Sequence, residues 1–131
     1  MKLRSLVAGS GAEVCGPEVT LQEAAETMDT QDIGSIAVVD GPRLAGILTE
    51  RDIVRASAAG ADVNVEIARD WMTADPDTFS PEVQVAEAAL WLLETGYRHL
   101  PVVEDGDLLG IVSVRDVLWV LAAPGSESTT G

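Results

Sequence analysis

Gly46-Ile47-Leu48-Thr49-Glu50-Arg51-Asp52 returns 64 residues later as Gly110-Ile111-Val112-Ser113-Val114-Arg115-Asp116. In both stretches an apolar, β-rich run ends on a hydroxyl residue, a preferred helix N-cap. A carboxylate follows three positions on, where it favours the first helical turn. The reading is a junction of strand and helix that occurs twice. The match extends outward without a gap, laying Pro17 to Ala56 over Pro81 to Val120. Pro17-Glu18-Val19 repeats as Pro81-Glu82-Val83, Glu23-Ala24-Ala25 as Glu87-Ala88-Ala89, and Val38-Val39-Asp40 as Val102-Val103-Glu104. Self-similarity at a fixed period points to paired structural units.

Each copy predicts the same elements. A helix follows the proline, over Thr20 to Asp29 in the first copy and over Val83 to Thr95 in the second. In the latter, Val85, Ala88, Ala89, Leu92 and Leu93 recur at helical spacing, and Gly96 sits where a C′ glycine ends a helix. Two β-rich runs come next, Ser35 to Val39 with Leu44 to Leu48, then Leu100 to Val103 with Leu108 to Val112. Their joints, Asp40-Gly41-Pro42-Arg43 and Glu104-Asp105-Gly106-Asp107, both contain Asp-Gly, which reads as a hairpin turn. Closing helices start after Thr49 and after Ser113 and run to about Ala59-Gly60 and about Ala122-Ala123-Pro124. Short strands are expected before each unit, at Glu13 to Cys15 and Thr78-Phe79. Val65 to Met72 reads as a brief linker helix, Thr73 to Asp77 as a turn-rich link, and Ser126 to Gly131 as a disordered tail. The division is residues 1–64 for the first repeat with its N-terminal segment, 65–124 for the linker helix and second repeat, and 125–131 for the tail. A unit of about sixty residues buries too little apolar surface alone, so the two are expected to pack about a pseudo-twofold axis.

Bulk properties narrow the function classes. The 131 residues carry 22 acidic against 8 basic groups, a formal charge of −14, and are 47% apolar. That field repels nucleic acid and anionic lipid, so no nucleic-acid or membrane partner is expected, and any anionic ligand needs a local cluster of donors. Cys15 and His99 are the only residues of their types, which excludes an intrachain disulfide and an ordinary Cys/His zinc site. No metal site is expected. No run approaches the ~20 apolar residues of a membrane span, and the segment after Lys2 and Arg4 is too short and glycine-broken for a secretory leader. The expectation is a cytoplasmic protein. No nucleophile elbow, Walker loop or Cys/His dyad is legible, so catalysis has little support and the chain is read as a non-enzyme.

The repeated heptad, with the strand Leu100-Pro101-Val102-Val103-Glu104 and its weaker copy Ile36-Ala37-Val38-Val39-Asp40, resembles the CBS domain family, named after cystathionine β-synthase. The resemblance covers nearly the whole chain except the tail. It implies an α/β (α+β) fold of two βαββα repeats, and a regulatory module that binds AMP, ADP, ATP or S-adenosylmethionine in clefts between the repeats. On that resemblance Asp116 accepts hydrogen bonds from ribose hydroxyls and Ser113 binds ribose or phosphate, with Asp52 and Thr49 in the same roles in a second cleft. A carboxylate suits a vicinal diol, and a hydroxyl at a helix N-terminus stands beside N–H groups disposed to hold phosphate.

Charge separates the two clefts. Arg98 and His99 precede Leu100, whereas the matching first-copy residues are Gly34 and Ser35, so the phosphate donors belong to the Asp116 cleft. Its adenine is expected against Ile33, Gly34, Ser35 and Val112, in an aliphatic sandwich. Beside this stands a plainer reading, in which Asp52 and Asp116 only stabilise their helices and Thr49 and Ser113 are ordinary caps. Arg51 and Arg115 are expected to pair with surface carboxylates, Cys15 to be a buried small hydrophobe, and Trp71, Trp91 and Trp119 to pack in a core or a dimer. The resemblance also implies a homodimer, with Trp91-Leu92-Leu93 and Trp119-Val120-Leu121 as candidate contacts, and an effector protein that the sequence does not name. The alternative function is a scaffold with empty clefts, serving dimerisation or protein interaction.

Overall fold

The computed structural model describes residues 1–7 and 12–123; the expected tail lies outside them. Alternation and helical spacing produce the expected elements with ends moved by one to three residues, except that the strand expected at Thr78-Phe79 is a single bridge at Phe79. The order is α1 (Leu3–Val7), β1 (Val14–Cys15), α2 (Leu21–Gln31), β2 (Ser35–Asp40), β3 (Arg43–Thr49), α3 (Glu50–Ala58), α4 (Ala68–Trp71), β4 (Thr73–Ala74), α5 (Val85–Thr95), β5 (His99–Glu104), β6 (Asp107–Ser113) and α6 (Val114–Ala122). The fold is mixed α and β, with two βαββα copies. The chain divides into two compact units, one of residues 12–76 with 106–108, the other of residues 1–7, 77–105 and 109–123.

In the first unit β1 runs parallel to β2, with Cys15 opposite Val38, and β2 pairs antiparallel with β3 from Ser35↔Thr49 to Asp40↔Arg43. The hairpin turns on Gly41, whose φ of 62° suits a residue without a Cβ. Thr20 caps α2 by accepting from the Glu23 N–H, and Asp32 ends the helix in the left-handed region. The core is Leu21, Ala24, Met28, Ile36, Val38, Leu48, Ala56 and Ala68.

The second unit repeats this arrangement position by position. Phe79 bridges to Val102, as Cys15 does to Val38, β6 neighbours β5, and Gly96 is the left-handed C-cap of α5, as expected. Its core of Val85, Ala88, Leu92, Leu100, Val102 and Val112 stands 64 residues on from Leu21, Ala24, Met28, Ile36, Val38 and Leu48.

Two further segments depart from the sequence expectation. The Thr73-Ala74 link forms β4, antiparallel to β3 with Ala74 opposite Gly46. The N-terminal segment, grouped on sequence with the first repeat, packs on the second. Leu3 N–H donates to the Val83 carbonyl and Arg4 N–H to that of Pro81, both at 2.8 Å, and Leu3 and Val7 enter the second core. The linker helix does the same for the first copy, its Ala68 and Arg69 N–H groups donating to Val19 and Pro17. Each copy thus has the same short helix laid across the loop before its long helix. The segment satisfying those loop carbonyls comes from a distant part of the chain, because a buried carbonyl needs a donor wherever it is found.

Candidate functional site

The motif residues come together where the last strand of each copy passes into its last helix. In the second copy Ser113 caps α6 and accepts from the Asp116 N–H at 3.1 Å, while Asp116 Oδ2 accepts from the Ser113 N–H at 3.0 Å. The Val114 N–H donates to the Arg98 carbonyl at 2.9 Å, which fixes the Arg98-His99 step beside the first turn of α6. Four predicted site residues, Arg98, His99, Ser113 and Asp116, therefore share one end of this unit. Asp116 and Arg98 are exposed, and Ser113 and His99 half-buried. Among the described residues the side chains of Arg98 and Arg115 form no ion pair, so the expected pairing of Arg115 with a surface carboxylate is not found; the same is true of Arg51.

The first copy repeats the backbone and changes the electrostatics. Glu50 N–H donates to the Gly34 carbonyl at 3.0 Å, so Ile33, Gly34 and Ser35 stand beside Thr49 and Asp52. Asp52 is only 4% exposed. Its Oδ2 accepts from the Thr49 N–H at 2.9 Å and from the Thr49 hydroxyl at 3.1 Å, and its Oδ1 accepts from Arg55 Nη1 at 3.0 Å. Both junctions are complete capping boxes, so the capping role is real in each copy and leaves Asp116, not Asp52, with a carboxylate oxygen to offer. Arg55 is the residue that sequence reading missed; its signal is the Asp52–Arg55 spacing of three along a helix, where side chains are neighbours.

Burial places two more of the singled-out residues. Val112 is enclosed in the second core; along β6 the side chains alternate, and Val112 falls on the inward face. Cys15 is half-buried against the first core rather than fully enclosed, and that burial pushes its thiol pKa up, which disfavours the reactive thiolate. The tryptophans divide. Trp71 is half-buried with its Nε1–H donated to Glu66 at 2.8 Å, Trp91 packs 5.1 Å from Phe79 and 5.3 Å from Tyr97, and Trp119 is exposed.

An open depression of about 580 Å³ in the first unit is lined by Gly16, Pro17, Glu18, Val19, Glu23, Asp40 and Arg69. None of the predicted site residues lines it, and its three carboxylates oppose an anionic ligand. Among the described residues no group of three acidic, histidine or cysteine side chains is placed to hold a metal ion, and no helix is long and apolar enough to cross a membrane.

A family model for the CBS domain matches the chain twice, over residues 10–59 and 68–123. The chain belongs to the CBS domain family. A relative from Acidianus ambivalens, an uncharacterised 17.7 kDa protein, is 39% identical over 89% of this chain and 71% of its own length. The chain spans 58% and 37% of two longer uncharacterised archaeal relatives, from Methanopyrus kandleri and Methanocaldococcus jannaschii. Among solved structures, a putative signal-transduction protein with CBS domains from Burkholderia ambifaria superposes with a TM-score of 0.85 at 26% identity, over 95% of this chain and 96% of that one. A CBS domain protein from Pyrobaculum aerophilum, solved in complex with AMP, covers both chains fully with a TM-score of 0.84 at 23% identity. For this chain that last likeness speaks to the CBS fold.

Proposed function

We propose that this CBS pair is a regulatory module that binds an adenosine-type nucleotide at the β6–α6 junction of its second copy and performs no chemistry on it. In this reading Asp116 accepts from the ribose hydroxyls, Ser113 binds ribose or phosphate, and Arg98 and His99 supply the phosphate donors. The observation that carries it is the state of Asp116: exposed, with one oxygen uncommitted among the described residues, beside an Arg98 that has no internal carboxylate. In a chain of charge −14, a free guanidinium next to a helix N-terminus is where an anionic ligand finds attraction. The AMP bound by the Pyrobaculum protein supports the ligand class. The ligand then acts on an effector protein, in the cytoplasm, by favouring one of two states of the module.

Calorimetric titration with AMP, ADP, ATP, NAD and S-adenosylmethionine tests this, on wild type and on Asp116→Asn, which keeps an oxygen for the Ser113 N–H. Binding that is lost in Asp116→Asn at an unchanged melting temperature supports the reading. No heat with any of the five, or binding indifferent to the substitution, sinks it.

A second reading, a dimerisation scaffold with no ligand, is favoured by the apolar outer face of α5 and α6, where Leu93 and Trp119 are each 78% exposed. Asp116→Asn leaves the activity of such a scaffold intact.

A further inference from the structure

The two copies differ at one position that controls access to their carboxylates. Arg55 of the first copy corresponds to Trp119 of the second, 64 residues on. Arg55 Nη1 lies 3.0 Å from Asp52 Oδ1, on the oxygen that the capping box does not use. The guanidinium also sits 6.0 Å from the centroid of the Trp71 ring, a cation–π contact that favours this rotamer. Trp71 is in turn held by its hydrogen bond to Glu66. Trp119 carries no charge, and Asp116 Oδ1 has no partner among the described residues.

We propose that Arg55 is an internal plug: its guanidinium holds the carboxylate oxygen that a ribose diol would need, so the first-copy junction is a latent nucleotide site closed in the wild-type protein. The inference rests on the reading above, in which the aspartate of this junction binds ribose. A vicinal diol donates two hydrogen bonds. Asp52 already accepts three, from Thr49 N–H, the Thr49 hydroxyl and Arg55, out of about four lone-pair positions on a carboxylate. A neutral hydroxyl that displaced Arg55 would replace a hydrogen bond charged on both sides by one charged only on the acceptor and leave a guanidinium to be re-solvated. The burial of Asp52 strengthens that preference, because a charge paired in a low-dielectric setting is costly to separate from its partner. Asp116, exposed and with a single internal donor on its carboxylate, has no such competitor. The asymmetry thus follows from one substitution between the copies, and the absence of Arg98 and His99 equivalents at Gly34 and Ser35 is a separate and additive handicap.

The test is titration with adenosine and with AMP of the full chain as wild type, Arg55→Ala, Asp116→Asn and the Arg55→Ala/Asp116→Asn double variant, with amide shifts of Thr49 and Asp52 followed by NMR. Arg55 lies on an exposed helix face and alanine is a better helix former, so the fold is retained; melting curves check this. The expected result is a doubling of stoichiometry in Arg55→Ala, a single site restored to the double variant where Asp116→Asn alone has none, and Thr49 and Asp52 shifts only where Arg55 is absent. Adenosine, lacking phosphate, is expected to show the new site as clearly as AMP. Wild type binding two nucleotides per chain, or Arg55→Ala leaving the stoichiometry unchanged or lowering it, overturns the plug while the Asp116 reading stands. Binding to Arg55→Ala at Asp52 with none to wild type upholds the plug and overturns the Asp116 reading, and no binding to any variant overturns both.

Discussion

Arg4 Nη2 lies 2.7 Å from Glu82 Oε1, and the matching first-copy pair, Arg69 with Glu18, stands at 3.9 Å. The two pairs occupy the same place, where a short helix crosses the loop that follows the repeat's proline. The second is a cluster: Lys2 Nζ reaches Glu82 Oε2 at 2.9 Å, and Arg4 also holds Glu104 at 2.6 Å. Basic residues are scarce in this chain, and two of its eight are spent tying its first turn to the second copy.

The cluster predicts a pH dependence. The hydrogen bond from Lys2, followed by that from Arg4, holds the Glu82 carboxyl below its usual value of 4.5. A carboxylate depressed in the folded state contributes stability above its unfolded pKa and loses it as pH falls through the folded value. Glu82→Gln is therefore expected to lower the melting temperature slightly at neutral pH, as befits an exposed pair, and to match wild type once the pH is well below 4.5. Melting curves across that range check it; a gap that persists in acid would assign the effect to packing rather than charge.

Leu3, at the start of α1, is fully buried. Leu3→Ala is expected to cost about 2–5 kcal/mol, the range for a leucine removed from a packed core. Urea denaturation measures it, with the equally buried Leu21→Ala as reference. A cost under about 1 kcal/mol would mean that α1 frays from the second core in solution.

What the sequence made legible is whatever recurs at a constant offset of 64. The hairpins, the long helices, the Thr49 and Ser113 caps and the paired cores all follow from residues that repeat. Of the two short helices, the linker helix is legible within Val65 to Met72, whereas α1 is not: its offset to the linker helix slips to 65, with Arg4 over Arg69 as the one identity, and it packs on a copy it does not lead into by its own strand. β4 is two residues long and carries no periodic signal. Strand alternation sends Val112 to the core. Arg55 has no counterpart in the repeat, where Trp119 stands in its place, and it matters through that difference.

The repeated glycine of the heptad has a packing role, and the copies should differ in how they tolerate its loss. A Cβ on Gly46 would meet Met72 Sδ at 2.5 Å and the Thr73 carbonyl oxygen at 2.7 Å, whereas one on Gly110 would meet the Val7 side chain at 3.0 and 3.1 Å. A side chain can shift by a few tenths of an ångström; the backbone of β4, paired to β3, cannot do so without loosening the sheet. Gly46→Ala is expected to cost about 1–3 kcal/mol, the range for overpacking, and Gly110→Ala less. Equal costs in chemical denaturation would show that β4 yields as readily as a valine side chain.

Leu90, Leu93, Tyr97, Leu118 and Trp119 are all exposed on or next to α5 and α6, and the positions matching Leu90, Leu93 and Trp119 in the first copy are Glu26, Asp29 and Arg55. The copies share a fold and differ in what they show to solvent. Five large apolar side chains left exposed on and beside two contacting helices are a surface of the kind that marks an interaction site. A self-complementary contact between two copies must therefore set second repeat on second repeat, because second on first would bury Asp29 and Arg55 against leucine and tryptophan. The expected mass by light scattering is that of a dimer, and the double variant Leu93→Glu/Trp119→Glu is expected to be a folded monomer, since both side chains lie outside the core. Val54→Glu, on the first copy's exposed helix face, is expected to leave the dimer intact. A wild type that is monomeric at micromolar concentration, or a dimer broken by Val54→Glu and untouched by the double variant, would remove the second copy as the occupant of this face.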